Sequence, residues 1–194
     1  TAEMALMVER ALSFIQRHSP DVIVAADDNA SKMIIKPYFK NNHVPVVHIG
    51  VNIDASVYGY PYNNSTGMVE IEGLESLIKV MSSYGHDSKV VMILVNTTTG
   101  LKKYQYYIQN INNFHGVLVN NFDEFKSAIL AIKQDDYLLV LDTLEGMGGF
   151  DEQQVKSFLV GEVKNPIISV SNSSQKFAHF GYIKVPDELG IWAG

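Results

Sequence analysis

The sequence predicts an α/β fold in which parallel sheets are flanked by helices. Short, continuously apolar segments alternate with stretches that carry apolar residues at helical spacing. Strands that are buried on both faces give such unbroken apolar runs, and the helices that connect parallel strands cover both faces of the sheet. Apolar residues make up 46% of the 194 residues and charged residues 19%, which is typical of a globular chain with a sizeable core.

The first part of the chain predicts two strands and their helices. Apolar spacing separates the helices from the strands, and a segment rich in Tyr, Asn, Gly and Pro predicts a loop. In chain order the predicted elements are a helix in MALMVERALSFIQRH, a strand in DVIVAA, a helix in NASKMIIKPYFKNN that ends or kinks near Pro37, a strand in VPVVHIGV and a loop over Ile53–Gly67.

The second part of the chain predicts at least four further strands. In order they are a helix in EGLESLIKVMSSYG ending at Gly85, a strand in KVVMILVN, a helix in TTGLKKYQYYIQNIN, a strand in HGVLVNN, a helix in FDEFKSAILAIKQ, a strand in DYLLVLDT, a helix in FDEQQVKSFLVGEV, a strand in NPIISVS and a further strand in FGYIKVP. One continuous sheet fits this periodicity. Two lobes joined by crossings near Ser65–Val69 and Ser174–Tyr182 fit it equally well.

Composition excludes several classes of function. The net charge is −6 with no basic stripe, so nucleic acid is not an expected partner. The absence of cysteine excludes disulfides, thiolate metal sites and cysteine nucleophiles. No apolar run approaches the roughly 20 residues that span a bilayer. The chain opens at Thr1 without the features of a signal peptide, and we expect any targeting segment to have been removed.

Polar side chains follow nearly every predicted strand. In open parallel sheets, ligands bind at the carboxyl ends of the strands. Carboxylates beside hydroxyls and tyrosine rings suit an amino acid, whose ammonium group they would recognise. The residues are Asp27, Asp28, Asn29, Asn52, Asp54, Tyr58, Tyr60, Tyr62, Asn96, Thr97, Thr98, Thr99, Asp142, Thr143, Glu145, Ser171, Asn172 and Ser173.

Two other interpretations of these residues stay open. Asp, Asn, Ser and Thr are also the preferred helix N-caps, so Asp28 or Asn29 is expected to cap a helix near Ala30, and Thr97–Thr99 the helix that follows. An enzyme that uses Asp27 or Asp28 as acid or base is the second interpretation. The chain has no phosphate loop, GxGxxG or GxSxG motif and no histidine pair at ligand spacing, so no catalytic residue, metal or cofactor is predicted. A lone His48 within a strand is expected to be structural.

One long segment carries a resemblance to a known family. DDNASK, PYFKNNHVPVVHIGVN and DASVYGYPYNNSTGMVE resemble bacterial periplasmic substrate-binding-protein-like domains, related to uncharacterised solute-binding proteins of ABC transporters and having the type I periplasmic-binding fold. The likeness is dense over residues 21–70 and continues as a pattern to the closing VPDELGIWAG. It implies two α/β lobes with a ligand cleft between them and hinge closure on binding.

The resemblance also implies boundaries and site residues. It implies a first lobe in residues 1–66, a second lobe in residues 67–174 and a return to the first lobe in residues 175–194. Asn64–Met68 would be the outward crossing and Gln175–Tyr182 the return. Because the family's domains begin with a further strand–helix–strand, we expect the first lobe to be incomplete. The implied ligand-binding residues are Asp27, Asp28, Asn29, Asn52, Tyr58, Tyr62, Thr97, Thr98, Asp142, Ser171 and Asn172.

The function that the resemblance implies is non-enzymatic. The expected activity is binding of a small polar solute, such as an amino acid, as the solute receptor of an ABC transporter. The alternative is a ligand-sensing domain of a membrane histidine kinase or diguanylate cyclase, because related domains serve in both. The expected partners are a small-molecule ligand and a membrane permease or signalling module. The expected location is the periplasm or the extracellular face of a bacterial membrane.

Overall fold

The computed structural model describes residues 2–83, 89–132, 137–183 and 187–193. It has two compact units, the first formed by Thr1–Ile71 with Val185–Gly194 and the second by Glu72–Lys184. Each unit contains its own sheet of parallel strands flanked by helices. The predicted fold class, a two-lobed α/β fold with parallel sheets, is therefore confirmed.

The first unit holds a three-stranded sheet in the order β1–β2–β3, with both neighbouring pairs parallel. Its apolar core lies on one face of this sheet and includes Ile23, Ile35 and Val46. The elements are α1 (Ala2–His18), β1 (Ile23–Ala26), α2 (Asp27–Ala30), a π-helix (Ser31–Phe39), β2 (Val46–Asn52), a 3₁₀ turn (Ser56–Tyr58), β3 (Ser65–Glu70) and α7 (Asp187–Ala193).

Two features of the first unit differ from the sequence prediction. The predicted loop ends too late, because Ser65–Glu70 forms β3 and pairs with β2 from Val46↔Ser65 onward. The polar start of this strand gives no apolar run that could have revealed it. The helix after β1 ends at Phe39, close to the predicted end near Pro37, but Ser31–Phe39 is a π-helix that contains the proline. Its wider turns let the helix pass a proline, whose ring and missing N–H interrupt an α-helix.

The second unit holds a five-stranded sheet in the order β5–β4–β6–β7–β8, with every neighbouring pair parallel. The predicted helix stop at Gly85 lies outside the described residues. The elements are α3 (Leu74–Ser83), β4 (Lys89–Val95), α4 (Thr98–Asn110), β5 (Phe114–Val119), α5 (Phe122–Leu130), β6 (Tyr137–Leu141), α6 (Glu152–Glu162), β7 (Ile167–Ser169), a 3₁₀ turn (Asn172–Phe177) and β8 (Phe180–Gly181).

The core of the second unit lies where α5 and α6 cover the sheet. Phe125 of α5 and Leu159 of α6 pack with alternate residues of β4, such as Ile93, in one apolar cluster. All five residues of β6 are buried, as expected of a central parallel strand. β4 and β6 are neighbours although β5 lies between them in the chain, so the strand order reverses at this pair. In doubly wound sheets, ligands bind at the carboxyl ends of the strands beside such a reversal.

Candidate functional site

A buried polar network lies at the carboxyl edge of the first sheet. Asp28, in the short helix after β1, is fully buried, and Asn52, at the end of β2, is 5% exposed. Asn52 Nδ2 donates to Asp28 Oδ2 at 2.8 Å, and Tyr58 makes a side-chain hydrogen bond with the same carboxylate. Burial, together with Asp28 and then Asp27, raises the pKa of Tyr58 above its ordinary range. The Tyr58 hydroxyl therefore stays protonated and able to donate.

Asp27 differs from Asp28 in lying exposed at the same edge. Its Oδ1 accepts from the backbone N–H of Asp28 at 2.5 Å. The helix begins at Asp27 after Ala26, and no side chain caps it. The expectation that Asp28 or Asn29 caps this helix is therefore wrong, because Asp28 lies inside the helix and points into the buried network. Asn29 is exposed.

The backbone is strained around Asp27. Positive φ angles occur at Asp27 (73°), Gly50 (65°) and Ile53 (63°), all near the carboxyl ends of β1 and β2. Glycine adopts this region freely, whereas a β-branched isoleucine there is an outlier that costs on the order of 1–3 kcal/mol. A Cβ built on Gly50 would lie 3.5 Å from the backbone nitrogen of Asp27. Because such strain clusters at ligand sites, it marks this edge as a candidate site.

Tyrosines of the loop after β2 make hydrogen bonds that stabilise the carboxyl edge of the first sheet. Tyr60 donates to Ser31 Oγ at 3.2 Å, and Ser31 donates to the backbone oxygen of Asp27 at 3.2 Å. Tyr62 donates to the backbone oxygen of Tyr58. Tyr58, Tyr60 and Tyr62 are each at least 94% buried. The Tyr60 hydroxyl thus supports Asp27 through Ser31, and the Tyr62 hydroxyl holds the loop together.

His48 is packed among the same aromatic side chains. Its ring stacks on Tyr60 with 3.9 Å between centroids and 18° between planes. It also covers Gly67 of β3, where a Cβ would lie 2.2 Å from the His48 carbonyl oxygen. Nδ1 of His48 is buried and has no hydrogen-bond partner among the described residues. Burial lowers the pKa of His48, and a hydrogen bond with the Thr66 backbone only partly opposes this, so the ring is neutral at pH 7. The structural role expected of His48 agrees with this packing.

A buried ionic cluster lies in the second unit. Lys103 of α4 donates to Asp142 Oδ2 at 2.8 Å and Oδ1 at 3.1 Å, and it also contacts Glu72 Oε1. Tyr107, one helical turn after Lys103, donates to Glu72 Oε2 at 2.7 Å. Ser174 donates to the backbone oxygen of Asp142 at 2.5 Å. All five residues are buried. This cluster joins the start of the unit, helix α4 and the carboxyl end of β6.

Electrostatics raise the pKa values of three side chains in this cluster. Burial opposes the positive charge of Lys103, but the adjacent Asp142 and Glu72 carboxylates outweigh it and raise the pKa of Lys103. Burial, then the charge of Asp142, raises the pKa of Glu72, while Lys103 opposes the rise. Burial and Glu72 together raise the pKa of Tyr107, so its hydroxyl remains a donor. The Asp142 carboxylate is therefore already paired with a permanent cation.

Neutral polar groups line the exposed part of the second unit's carboxyl edge. Thr97 caps α4 by accepting from the Gly100 N–H at 3.1 Å, as the sequence predicts. Asn96 Nδ2 donates to Asn120 Oδ1 at 3.0 Å, which links the ends of β4 and β5. Oγ of Ser171 lies 2.9 Å from Oγ1 of Thr143 and 3.0 Å from Oγ of Ser173, close to the ends of β6 and β7.

The predicted site residues divide into two groups. The buried ones have partners within their own unit and support the edges, namely Asp28, Asn52, Tyr58, Tyr62 and Asp142. The others are exposed or half-buried and can contact a ligand, namely Asp27, Asn29, Thr97, Thr98, Ser171 and Asn172. Sequence reasoning missed Lys103, Glu72 and Tyr107 as members of the polar clusters. The spacing of Gly100, Lys103 and Tyr107 on one face of a helix was the available signal.

The described residues were also compared with the requirements of a metal site and of a membrane-spanning helix. Within the described ranges, no group of three or more His, Asp or Glu side chains is arranged to hold a metal ion. None of the helices in those ranges is long and apolar enough to cross a membrane.

Comparison with known proteins gives one informative match. No protein-family model and no curated protein matches the chain. The chain is similar in structure to a conserved domain protein from Vibrio cholerae O1 biovar El Tor strain N16961, with a TM-score of 0.68 and 14% sequence identity. The match covers 97% of this chain and 66% of that crystal structure's chain, so this chain spans slightly less than two thirds of its length. The likeness supports the α/β fold, and the family resemblance stays a prediction.

Proposed function

We propose that this chain is a non-enzymatic binding module for a small polar solute that carries an ammonium group, such as an amino acid. The observation that carries the proposal is the contrast between Asp27 and Asp28. Asp28 is fully buried in a hydrogen-bonded network, whereas Asp27, the residue before it, is exposed. An exposed carboxylate fixed by its backbone can pair with a ligand cation and lose little entropy in doing so.

The rigidity of the support strengthens this argument. The Tyr60–Ser31–Asp27 hydroxyl relay and the Asn52–Asp28 bond hold both ends of the short helix. Binding sites need such preorganised support, because a side chain that must first be ordered contributes less affinity. The strained φ of Asp27, 73°, is maintained by the same contacts.

Neutral polar groups also lie at the carboxyl edge of the second unit. Thr97, Thr143, Ser171 and Asn172 supply neutral hydroxyl and amide groups there. Such groups orient the polar part of a solute without adding charge. In the cell we propose the role of solute receptor for an ABC transporter, with a membrane permease as partner, on the outer side of the membrane. The sensor role would use the same ligand chemistry.

The test is thermal unfolding against a panel of amino acids, small peptides, sugars and nucleosides. A ligand present at 100 times its dissociation constant stabilises the folded state by about 2.7 kcal/mol. In a chain of this size that raises the melting temperature by roughly 5–10 °C. We expect a rise confined to ligands with an ammonium group.

Two variants connect the effect to Asp27. Asp27→Asn removes the charge and keeps a residue type that tolerates positive φ, so the fold should persist while the ligand shift disappears. Asp21→Asn, at the exposed opposite end of β1, is the control and should keep the full shift. Equal shifts in both variants, or no shift with any compound, would refute the proposal.

A further inference from the structure

A groove lies at the amino ends of the strands in the second unit, away from the carboxyl edge described above. Its volume is about 620 Å³, which is within the range of small-molecule sites. Lys89 at the start of β4 and His115 in β5 line it together with apolar residues, including Val91, Val117 and Ala131. It therefore combines an apolar surface with two basic side chains.

The register of the sheet explains this combination. Val91 pairs with His115 in the parallel β4–β5 ladder, so the two side chains lie on the same face. Lys89, two residues before Val91, lies on that face as well. Val91 belongs to the apolar cluster that Phe125 of α5 covers. The groove is thus the amino-terminal continuation of a face whose other half is covered by α5.

The helix leaves this half of the face open because of its small residues. α5 ends at Leu130, and Ala128 within it and Ala131 just after it line the groove. An alanine side chain stops at Cβ, so it cannot fill the space above Val91 and Val117. β5 is also an edge strand of the sheet, and among the described residues no further strand lies on that side of the groove. Parallel sheets in α/β proteins normally have both faces covered, so this opening is a departure from the rule.

Lys89 supplies a positive charge and His115 a ring N–H that can donate a hydrogen bond, and both favour an anionic ligand. Lys89 and His115 are both exposed, and neither makes a side-chain hydrogen bond or ion pair with another described residue. They lie on the strand side of the groove. The carbonyl end of α5 at Ala131, which repels anions, lies on the helix side. An anion would therefore be held against Lys89 and His115, with its apolar part along Val91 and Val117.

We propose that this groove binds a small amphipathic carboxylate, a molecule with one carboxylate head and an apolar chain. The carboxylate pairs with Lys89 and His115, and the chain lies on Val91, Val117 and Ala131. The volume of the groove fits a small molecule. The proposal does not depend on the solute site at Asp27.

The test uses octanoate as the probe and octylammonium as its counterpart with the opposite charge. Binding to the full chain is measured by isothermal titration calorimetry. We expect octanoate to bind and octylammonium not to bind. Lys89→Glu reverses the charge at the head position and Ala131→Phe fills the groove, so each should weaken octanoate binding at least tenfold. Ala131 is exposed just after α5, where a larger side chain is compatible with folding.

The controls make the outcome decisive. Lys156→Glu makes the same charge change at an exposed position of α6, outside the groove, and should leave octanoate binding unchanged. Asp27→Asn should also leave it unchanged, which separates this site from the solute site. The proposal is overturned if octanoate does not bind, if octylammonium binds as tightly, or if either Lys89→Glu or Ala131→Phe keeps wild-type affinity.

Discussion

The ammonium of Lys103 lies 2.8 Å and 3.1 Å from the two carboxylate oxygens of Asp142, and both side chains are buried. Glu72 Oε1 accepts from the same ammonium, and Tyr107 donates to the other oxygen of Glu72. One cation thus supports two carboxylates in an interior where each carboxylate alone would be costly. Substitution of Lys103 should therefore lower the free energy of unfolding more than substitution of any other member of the cluster.

Lys103→Met should destabilise the protein strongly. The substitution keeps most of the side-chain volume but leaves Asp142 and Glu72 buried without their cation. Removing one partner from a buried ion pair costs about 3–5 kcal/mol. Urea denaturation of the wild type and the variant at pH 7 measures this difference in the free energy of unfolding.

The matched control is Lys156→Met on the exposed side of α6. An exposed substitution of this kind should change the free energy of unfolding by no more than about 0.5 kcal/mol. If Lys103→Met cost as little as Lys156→Met, the buried cluster would not be contributing to stability.

His48 should make stability depend on pH. Burial lowers the pKa of His48 in the folded state below its unfolded value of about 6.5. Below that value the unfolded chain binds a proton that the folded protein resists, so stability falls as pH decreases through 6.5. His48→Phe retains an aromatic ring against Tyr60 and should show a smaller loss of stability between pH 7.5 and pH 5. Chemical denaturation at several pH values measures how the free energy of unfolding of the wild type and of His48→Phe changes with pH.

The control for this titration is His43→Gln, which changes an exposed histidine of the same unit. We expect it to keep the pH dependence of the wild type. A His48→Phe protein with the wild-type slope would contradict the assignment of this dependence to His48.

Gly67 should tolerate no side chain. A Cβ at this position would lie 2.2 Å from the His48 carbonyl oxygen and 2.3 Å from the His48 ring. Gly67→Ala therefore forces β2 and β3 apart, and overpacking of this kind costs about 1–3 kcal/mol. Gly161→Ala is the comparison, because a Cβ there meets nothing within 4 Å and the residue lies in α6. It should raise stability by up to about 1 kcal/mol, since alanine favours helix over glycine. Melting temperatures that move in the same direction for both variants would argue against this packing.

Much of the fold follows from hydrophobic periodicity. Strands such as Lys89–Val95 and Tyr137–Leu141 are continuous apolar runs, and they are central strands of the second sheet. Ser65–Glu70 could not be predicted in this way, since its first residues are polar and its position depends on pairing with β2. Non-local pairing of this kind leaves no trace in local composition.

The candidate site was predictable in position but not in detail. Polar residues at strand ends pointed to Asp27 and Asp28, yet adjacent letters do not reveal that only Asp27 is exposed. The backbone turn at Asp27, with φ at 73°, decides which carboxylate is buried. Likewise, only the helical spacing of Lys103 with Gly100 and Tyr107 distinguishes it from Lys102 in the sequence. Their different positions around α4 place only Lys103 among the fully buried residues of the helix.

Asn52→Asp should lower the stability of the protein in a pH-dependent way. The Asn52 amide donates to Asp28 Oδ2 at 2.8 Å, so the substitution would set two carboxylates against each other in a buried position. We expect a loss of at least about 2 kcal/mol at pH 7, because a buried charged group would lose its donor. Repulsion raises the pKa of one carboxyl in the folded state, so that state takes up a proton and stability recovers as pH falls towards 4. Asn52→Ala removes the donor without adding charge and should show a smaller recovery, because only the burial of Asp28 then raises its pKa. Denaturation curves for both variants at pH 7 and pH 4.5 distinguish the outcomes, and parallel behaviour of the two would contradict the Asn52–Asp28 contact.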